Sequence, residues 1–379
     1  MRKGAFIVAD NIYSPAGSTT RENFETIIGG GSGVRTHEDI SISKTPFVAS
    51  LIGEGRNGKH FPDSVKGFSR FENLLTLSVQ DALRSGNVDP KEEKTLLIIS
   101  STKGNISMLE SGGDQIAKAD AISLVASAKK IAAHFQFQHQ PLVISNACIS
   151  GLLAIITAKR LIESDSYETV VVAGADEITS FIFSGFQSFQ ALSDTVCRPF
   201  DAARKGINLG EGAATIILSG NDKYEGNIRI SGGSVRNDAN HISGPSRTGE
   251  ELFLAINSAL DEAGLKSSEI EFISAHGTAT IYNDEMEAKA ISLANLQDVP
   301  VNSLKGYFGH TLGAAGIIET IITKQSMLEG LIVPTPGFEE SGVSMPLNIS
   351  NKLRTASITH SLKTASGFGG CNAAITLSR

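Results

Sequence analysis

The chain is 379 residues long, 41% hydrophobic and 19% charged, with 40 acidic residues against 33 basic ones for a formal net charge of −7. That length suits about two domains or two intimately packed halves, with no shortage of core. The charge argues against general nucleic-acid binding, and no apolar run approaches the length of a membrane span. Three cysteines without framework spacing fit reduced thiols in a cytoplasm.

In chain order, the apolar run after Met1 is too short for a signal peptide. Strands are predicted at Leu96–Ser100, Leu142–Ser145, Thr169–Ala173, Ala214–Leu218, Ile228–Ser231 and Ile270–Ala275. Helices are predicted at Phe71–Arg84, Ile122–His134, Leu152–Glu163, Glu250–Ala263 and Ala314–Leu328. Such alternation implies an α/β architecture with largely buried strands. Two echoes point to a duplication. Ala213-Ala-Thr-Ile-Ile-Leu-Ser219 is answered by Ala373-Ala-Ile-Thr-Leu-Ser378, and the strand, elbow and helix around Cys148 by Pro300 to Lys324. The expected division is 1–245 and 246–379, with both elbows facing one crevice.

Cys148, in Ser145-Asn-Ala-Cys148-Ile-Ser-Gly151, stands where a strand gives way to an apolar helix. Free N–H groups and the positive end of the helix dipole there are expected to favour thiolate. His276 follows a buried-type strand in Ala275-His-Gly-Thr278-Ala-Thr280, and two threonine hydroxyls share its edge. His310 sits among four glycines in Lys305-Gly-Tyr-Phe-Gly-His310-Thr-Leu-Gly-Ala-Ala-Gly316. Zinc fits poorly, since the short-range ligand pairs of most zinc sites are missing. A thiol nucleophile with two imidazoles suits acyl transfer. The turn Gly367-Phe368-Gly369-Gly370 can present bare N–H donors to an oxyanion.

These blocks, in this order, resemble the β-ketoacyl synthases of the thiolase fold. The match runs from Asn146-Ala-Cys148 through Cys197-Arg-Pro-Phe-Asp201 to Gly370-Cys-Asn372; the first hundred residues match loosely. The resemblance implies two duplicated βα halves in a layered α-β-α-β-α sandwich. It also implies a decarboxylative Claisen condensation of malonyl-carrier with an acyl group held on Cys148. His276 and His310 would assist decarboxylation, Lys305 and Glu319 would tune the second histidine, and the Cys148 and Phe368 N–H groups would bind the oxyanion. Thr278 and Thr280 would hold the phosphopantetheine amides, Gly369 would border the substrate, and Phe368 would gate the acyl pocket. No metal or separate cofactor is implied, because acyl carrier protein brings the substrates on its phosphopantetheine. A dimer, with a copy of itself or a related subunit, is implied too.

Three departures stand out. Ile149 replaces the small residue that usually follows the nucleophile, and is expected to reshape the acyl pocket. Gln190 stands where relatives carry a basic residue for the carrier. The chain is short. Ile149 and the short chain incline the reading from fatty acid synthesis toward a polyketide or polyene pigment pathway. For carrier docking the basic candidates are Lys59, Lys66, Arg70, Lys129 and Lys130. A thiolase using coenzyme A is the nearest rival, since Cys371 is a late second cysteine, but its glycine context matches the synthase loop. A non-elongating partner of the chain-length-factor kind is the other, and such partners lose the nucleophile that this chain keeps.

Overall fold

The computed structural model describes residues 4–53, 64–110 and 121–379. Ten strands make the principal sheet: β1 (Ala5–Tyr13), β2 (Thr95–Ser100), β3 (Leu142–Ile144), β4 (Thr169–Asp176) and β5 (Gly212–Ser219), then β6 (Arg229–Asn237), β7 (Phe272–Ser274), β8 (Val301–Asn302), β9 (His360–Gly367) and β10 (Cys371–Ser378). Their order is β8-β7-β9-β10-β6-β1-β5-β4-β2-β3. Numbered within each group of five, both run 3-2-4-5-1, and their first strands meet at Ala5↔Ile230 and Phe6↔Arg229.

The pairing senses repeat as well. In each group the second strand is parallel to the third and fourth, while the fifth is antiparallel to the fourth and first. The duplication is therefore topological. Its second copy opens at β6, so a division at 245 falls too late and leaves the first strand of one copy attached to the other.

Eight helices of nine residues or more are described: α1 (Thr20–Ile28), α2 (Arg70–Gly86), α3 (Leu124–Phe135), α4 (Ser150–Glu163), α5 (Ser180–Ser188), α6 (Glu250–Ala263), α7 (Ile281–Leu293) and α8 (Ala315–Glu329). α4 and α8 pack on each other and against strands of both halves, α2 lies outside β1, β4 and β5, and α6 lies outside β6, β9 and β10. The layers follow from the burial pattern. Leu152, Ile155, Ile156, Ile317, Ile318 and Ile321 of α4 and α8 are fully buried in one central core. A helix apolar around most of its surface belongs in the interior, here between the two five-stranded halves of the sheet. α2 keeps a polar outer face and has its own core beneath it, as does α6.

α7 was not expected from the sequence. It has no apolar stripe, because its buried side includes Asn283, Asp284 and Glu287 as well as Met286 and Ile291. Those polar side chains serve the loop that carries His276.

Candidate active site

Equivalent strand-to-helix elbows, β3 into α4 and β8 into α8, deliver Cys148 and His310. At the first, Ala147 has φ +44°. A non-glycine residue rarely adopts that conformation, so something must hold it. Ser150 does: its Oγ accepts from Asn146 N–H at 2.7 Å and donates to the Ala147 carbonyl at 2.6 Å. The elbows also crowd each other. A Cβ on Gly316 would lie 2.6 Å from Leu152 N, and one on Gly151 2.8 Å from the Gly313 carbonyl oxygen. Glycine at both places lets the two helix starts converge.

His276 leaves β7 in a loop held by α7. Glu287 accepts from the N–H groups of His276 and Gly277, both at 2.8 Å, and Asp284 from those of Thr278 and Ala279 at 3.0 and 3.2 Å. The two imidazoles stand edge to face, ring centroids 5.3 Å apart. Both residues are buried. His276 Nδ1 and both ring nitrogens of His310 have no hydrogen-bond partner among the described residues. Burial holds both imidazoles well below the ordinary histidine pKa, and the ammoniums of Lys305 and Lys363 act in the same direction. They are neutral near pH 7.

Behind the imidazoles lies a charged cluster. Lys305 Nζ donates to Glu319 and to the His276 carbonyl at 3.1 Å. Lys363 reaches the other Glu319 oxygen at 2.7 Å. Lys305 and Glu319 come together as expected; Lys363 was not foreseen.

Cys148 departs from expectation in its chemistry. Burial pushes its thiol up to about 12; Cys371 adds to the rise, while Lys305 and the Phe368 N–H directed at the sulfur oppose it. A helix terminus contributes about 0.3–1 kcal/mol to a nearby charge. Three pKa units correspond to about 4 kcal/mol. Desolvation wins, so the resting nucleophile is a thiol.

Cys148 lies where two cavities meet. One, of about 470 Å³, is bordered by His276, His310, Thr278 and Thr280. The other, of about 440 Å³, is walled by Phe181, Ile182, Leu312 and Ala147. Phe186, Phe189 and Phe368 border both. Phe368 stacks on Phe186 with centroids 5.7 Å apart and meets Phe189 edge-on at 5.2 Å, forming an aromatic partition. Phe186 and Phe189 were missed in the sequence; their spacing of three on one helical face is the signal that could have found them.

Several expected positions fall elsewhere. Ile149 is fully buried in the central core and borders neither cavity, since it points into the packing beneath α4. Gly369 borders neither, and its N–H is taken by the Ile242 carbonyl at 2.7 Å. Arg70 is a structural cation, pairing with Glu211 at 2.9 Å with its side chain 13% exposed. Lys130 is tied to Glu72 at 2.5 Å and lies over the Phe68 ring. Lys66 and Lys129 are exposed; Lys59 lies outside the described residues. Gln190 borders the first cavity, as does Lys205, a cation the sequence reading did not select.

A duplicated α/β fold with a cysteine elbow from one half and two imidazoles from the other defines a thiolase-fold acyltransferase. The chain belongs to the β-ketoacyl synthase family: residues 6–223 match the β-ketoacyl synthase N-terminal domain and 228–339 the C-terminal domain. It is 25% identical to 3-oxoacyl-(acyl-carrier-protein) synthase 2 of Vibrio cholerae, over 100% of this chain and 99% of that one. It is 27% identical to the tetracenomycin polyketide synthase ketoacyl synthase alpha subunit of Streptomyces glaucescens, covering 100% and 97%. Among solved structures, the ishigamide ketosynthase/chain length factor superposes with a TM-score of 0.88 at 25% identity, covering 100% and 99%.

Proposed function

We propose that this chain is the active, elongating β-ketoacyl synthase subunit, with Cys148 as the acyl-bearing nucleophile. The observation that carries this reading is a buried thiol at the junction of two cavities, beside two neutral imidazoles with unpartnered nitrogens. In the first half-reaction the sulfur attacks an acyl-carrier thioester and a neutral imidazole takes the thiol proton. The oxyanion accepts from the Cys148 and Phe368 N–H groups, and the carrier thiol leaves with a proton. In the second, malonyl-carrier loses carbon dioxide. The enolate oxygen accepts from His276 and His310, and its carbon attacks the Cys148 thioester. The C–S bond breaks, the β-ketoacyl-carrier is released, and the Cys148 thiolate takes up a proton to restore the thiol.

In this reading the cavity with Thr278 and Thr280 takes the carrier's phosphopantetheine, and the phenylalanine-walled one takes the acyl chain. The carrier brings both substrates, so no further cofactor is required. Lys205, Lys66 and Lys129 are the remaining candidate cations for an acidic carrier protein. A partner subunit, identical or related, suits the exposed Phe181 and Phe189 beside the acyl cavity. The buried thiols suit a reducing compartment such as the cytoplasm, and no helix among the described residues is long and apolar enough to cross a membrane. Ile149 gives no support to a specialised pathway, and the relatives named include both fatty-acid-type and polyketide synthases.

Intact-mass analysis after mixing with a panel of acyl-carriers tests the assignment. Acylation at Cys148 is expected, and none in Cys148→Ala. Cys148→Gln is expected to decarboxylate malonyl-carrier without condensing it. Acylation persisting in Cys148→Ala would remove the assignment.

A further inference from the structure

β9 reads His360-Ser-Leu-Lys-Thr-Ala-Ser-Gly367, with a single lysine among residues that are buried from Ser361 to Ser366. Lys363 is itself fully buried, and its partners are specific. Its Nζ donates to the Ser274 and Ala275 carbonyls at 3.2 and 3.3 Å and to the Thr364 carbonyl at 2.6 Å. It also pairs with Glu319 at 2.7 Å. Ser274 and Ala275 immediately precede His276. Lys305 repeats the arrangement from the other side, donating to the His276 carbonyl and to Glu319.

The contacts close a ring. Three successive carbonyls at the exit of β7 are held by two ammoniums, and one carboxylate on α8 joins those ammoniums. A buried charge persists only when paired and hydrogen-bonded, and this one has four partners. An apolar residue would fit a sheet interior without any of that expense, so packing alone gives no reason for a lysine here.

We propose that Lys363 is a positioning residue for the condensing site: it anchors the strand exit that carries His276 to Glu319, and supplies half the positive charge facing the two imidazoles. This rests on the proposed role of those imidazoles as proton acceptors for Cys148.

The charges around the pair come from every neighbouring element. Lys305 stands before His310, Glu319 is on α8, and Glu287 on α7 accepts from the N–H groups of His276 and Gly277 and from Thr364 Oγ1. Asp284, also on α7, lies one turn before Glu287, and Cys148 opens α4. Two lysines thus face Glu319 and Glu287, while Asp284 is offset by Arg204 at 3.9 Å. Without Lys363 the balance turns negative, which favours imidazolium. An imidazolium cannot take the thiol proton, so acylation would fail at a higher pH than in the parent. In support, Lys363 acts to lower the pKa of both histidines.

The test is the single-turnover rate of Cys148 acylation by an acyl-carrier, followed by intact mass across pH. Three variants are compared with the parent: Lys363→Met, Lys363→Gln (which keeps a donor without the charge) and Glu319→Gln. Both Lys363 variants are expected to move the acid limb upward by about one pH unit. Glu319→Gln, which leaves two ammoniums unbalanced, should move it downward. Slower acylation with an unmoved limb in a folded Lys363 variant would reduce Lys363 to a structural role and overturn the proposal. So would a Glu319→Gln limb that moves upward or stays in place, which remains readable if neither Lys363 variant folds. Failure of the parent to acylate at any pH would instead refute the proposed function.

Discussion

Raising the pH across the Cys148 thiol separates two physical effects that the sequence alone could not rank. A free cysteine with a pKa near 8.5 is about one quarter thiolate at pH 8. At a pKa of about 12, the thiolate fraction of Cys148 at pH 8 is roughly one in ten thousand. Iodoacetamide reacts with thiolate, so at pH 8 Cys148 should alkylate about a thousandfold more slowly than a free cysteine. Its logarithmic rate should climb with unit slope from pH 6.5 to 9.5 without a plateau. Intact mass resolves the modified chain, and Cys197→Ala and Cys371→Ala isolate the Cys148 signal. The same group carries a stability consequence. A folded thiol pKa raised above its unfolded value leaves stability intact below about pH 8.5, and that stability is lost as pH rises toward 12. Urea unfolding between pH 9 and 10.5 should therefore weaken less steeply in Cys148→Ala, by about one proton per chain. A rate plateau at or below pH 8.5 would refute the reasoning, because the helix terminus would then have overcome burial.

Other outcomes follow from named contacts. Gly316→Ala places a methyl group 2.6 Å from Leu152 N; prising α4 from α8 should destabilise the fold by roughly 1–3 kcal/mol, read as a lower Tm. An unchanged Tm would mean the elbows have slack. Phe186→Ala removes part of the wall shared by the two cavities and should lengthen the products seen by mass spectrometry, whereas an identical product profile would place the length limit elsewhere. Lys205→Glu should raise KM for malonyl-carrier more than Lys66→Glu, without changing the alkylation rate of Cys148. Equal effects from both would remove the cavity mouth as the preferred docking face.

The three reactive side chains were legible because each interrupts a local pattern: a polar residue at a strand exit, flanked by glycine at His276 and His310 and leading into an apolar helix at Cys148, where burial alone would favour an apolar one. The duplication was legible from short echoes, though its boundary was not, since β6 resembles any exposed-edge strand until its partner is known. Lys363 was not legible. Its partners at Ser274, Ala275 and Glu319 meet it only in the fold, and a lone lysine in a strand ordinarily faces solvent. α7 was hidden for a related reason: its buried carboxylates satisfy backbone N–H groups of another segment, which erases the apolar stripe that marks a helix. Ile149 misled through adjacency. A residue next to a nucleophile in sequence points about 100° away on a helix start, and here it turns into the core.

The matching elbows make each copy chemically incomplete. Cys148 and His310 occupy corresponding places in the two repeats, so neither repeat holds both a nucleophile and the base that serves it. A fragment ending before Arg229 would carry a thiol with no histidine to relieve it of its proton. A fragment beginning there would carry imidazoles with nothing to deprotonate. Base-assisted acyl transfer is thus conferred only when the halves associate, although the exposed thiol of a partly folded chain would ionise more readily than the buried one.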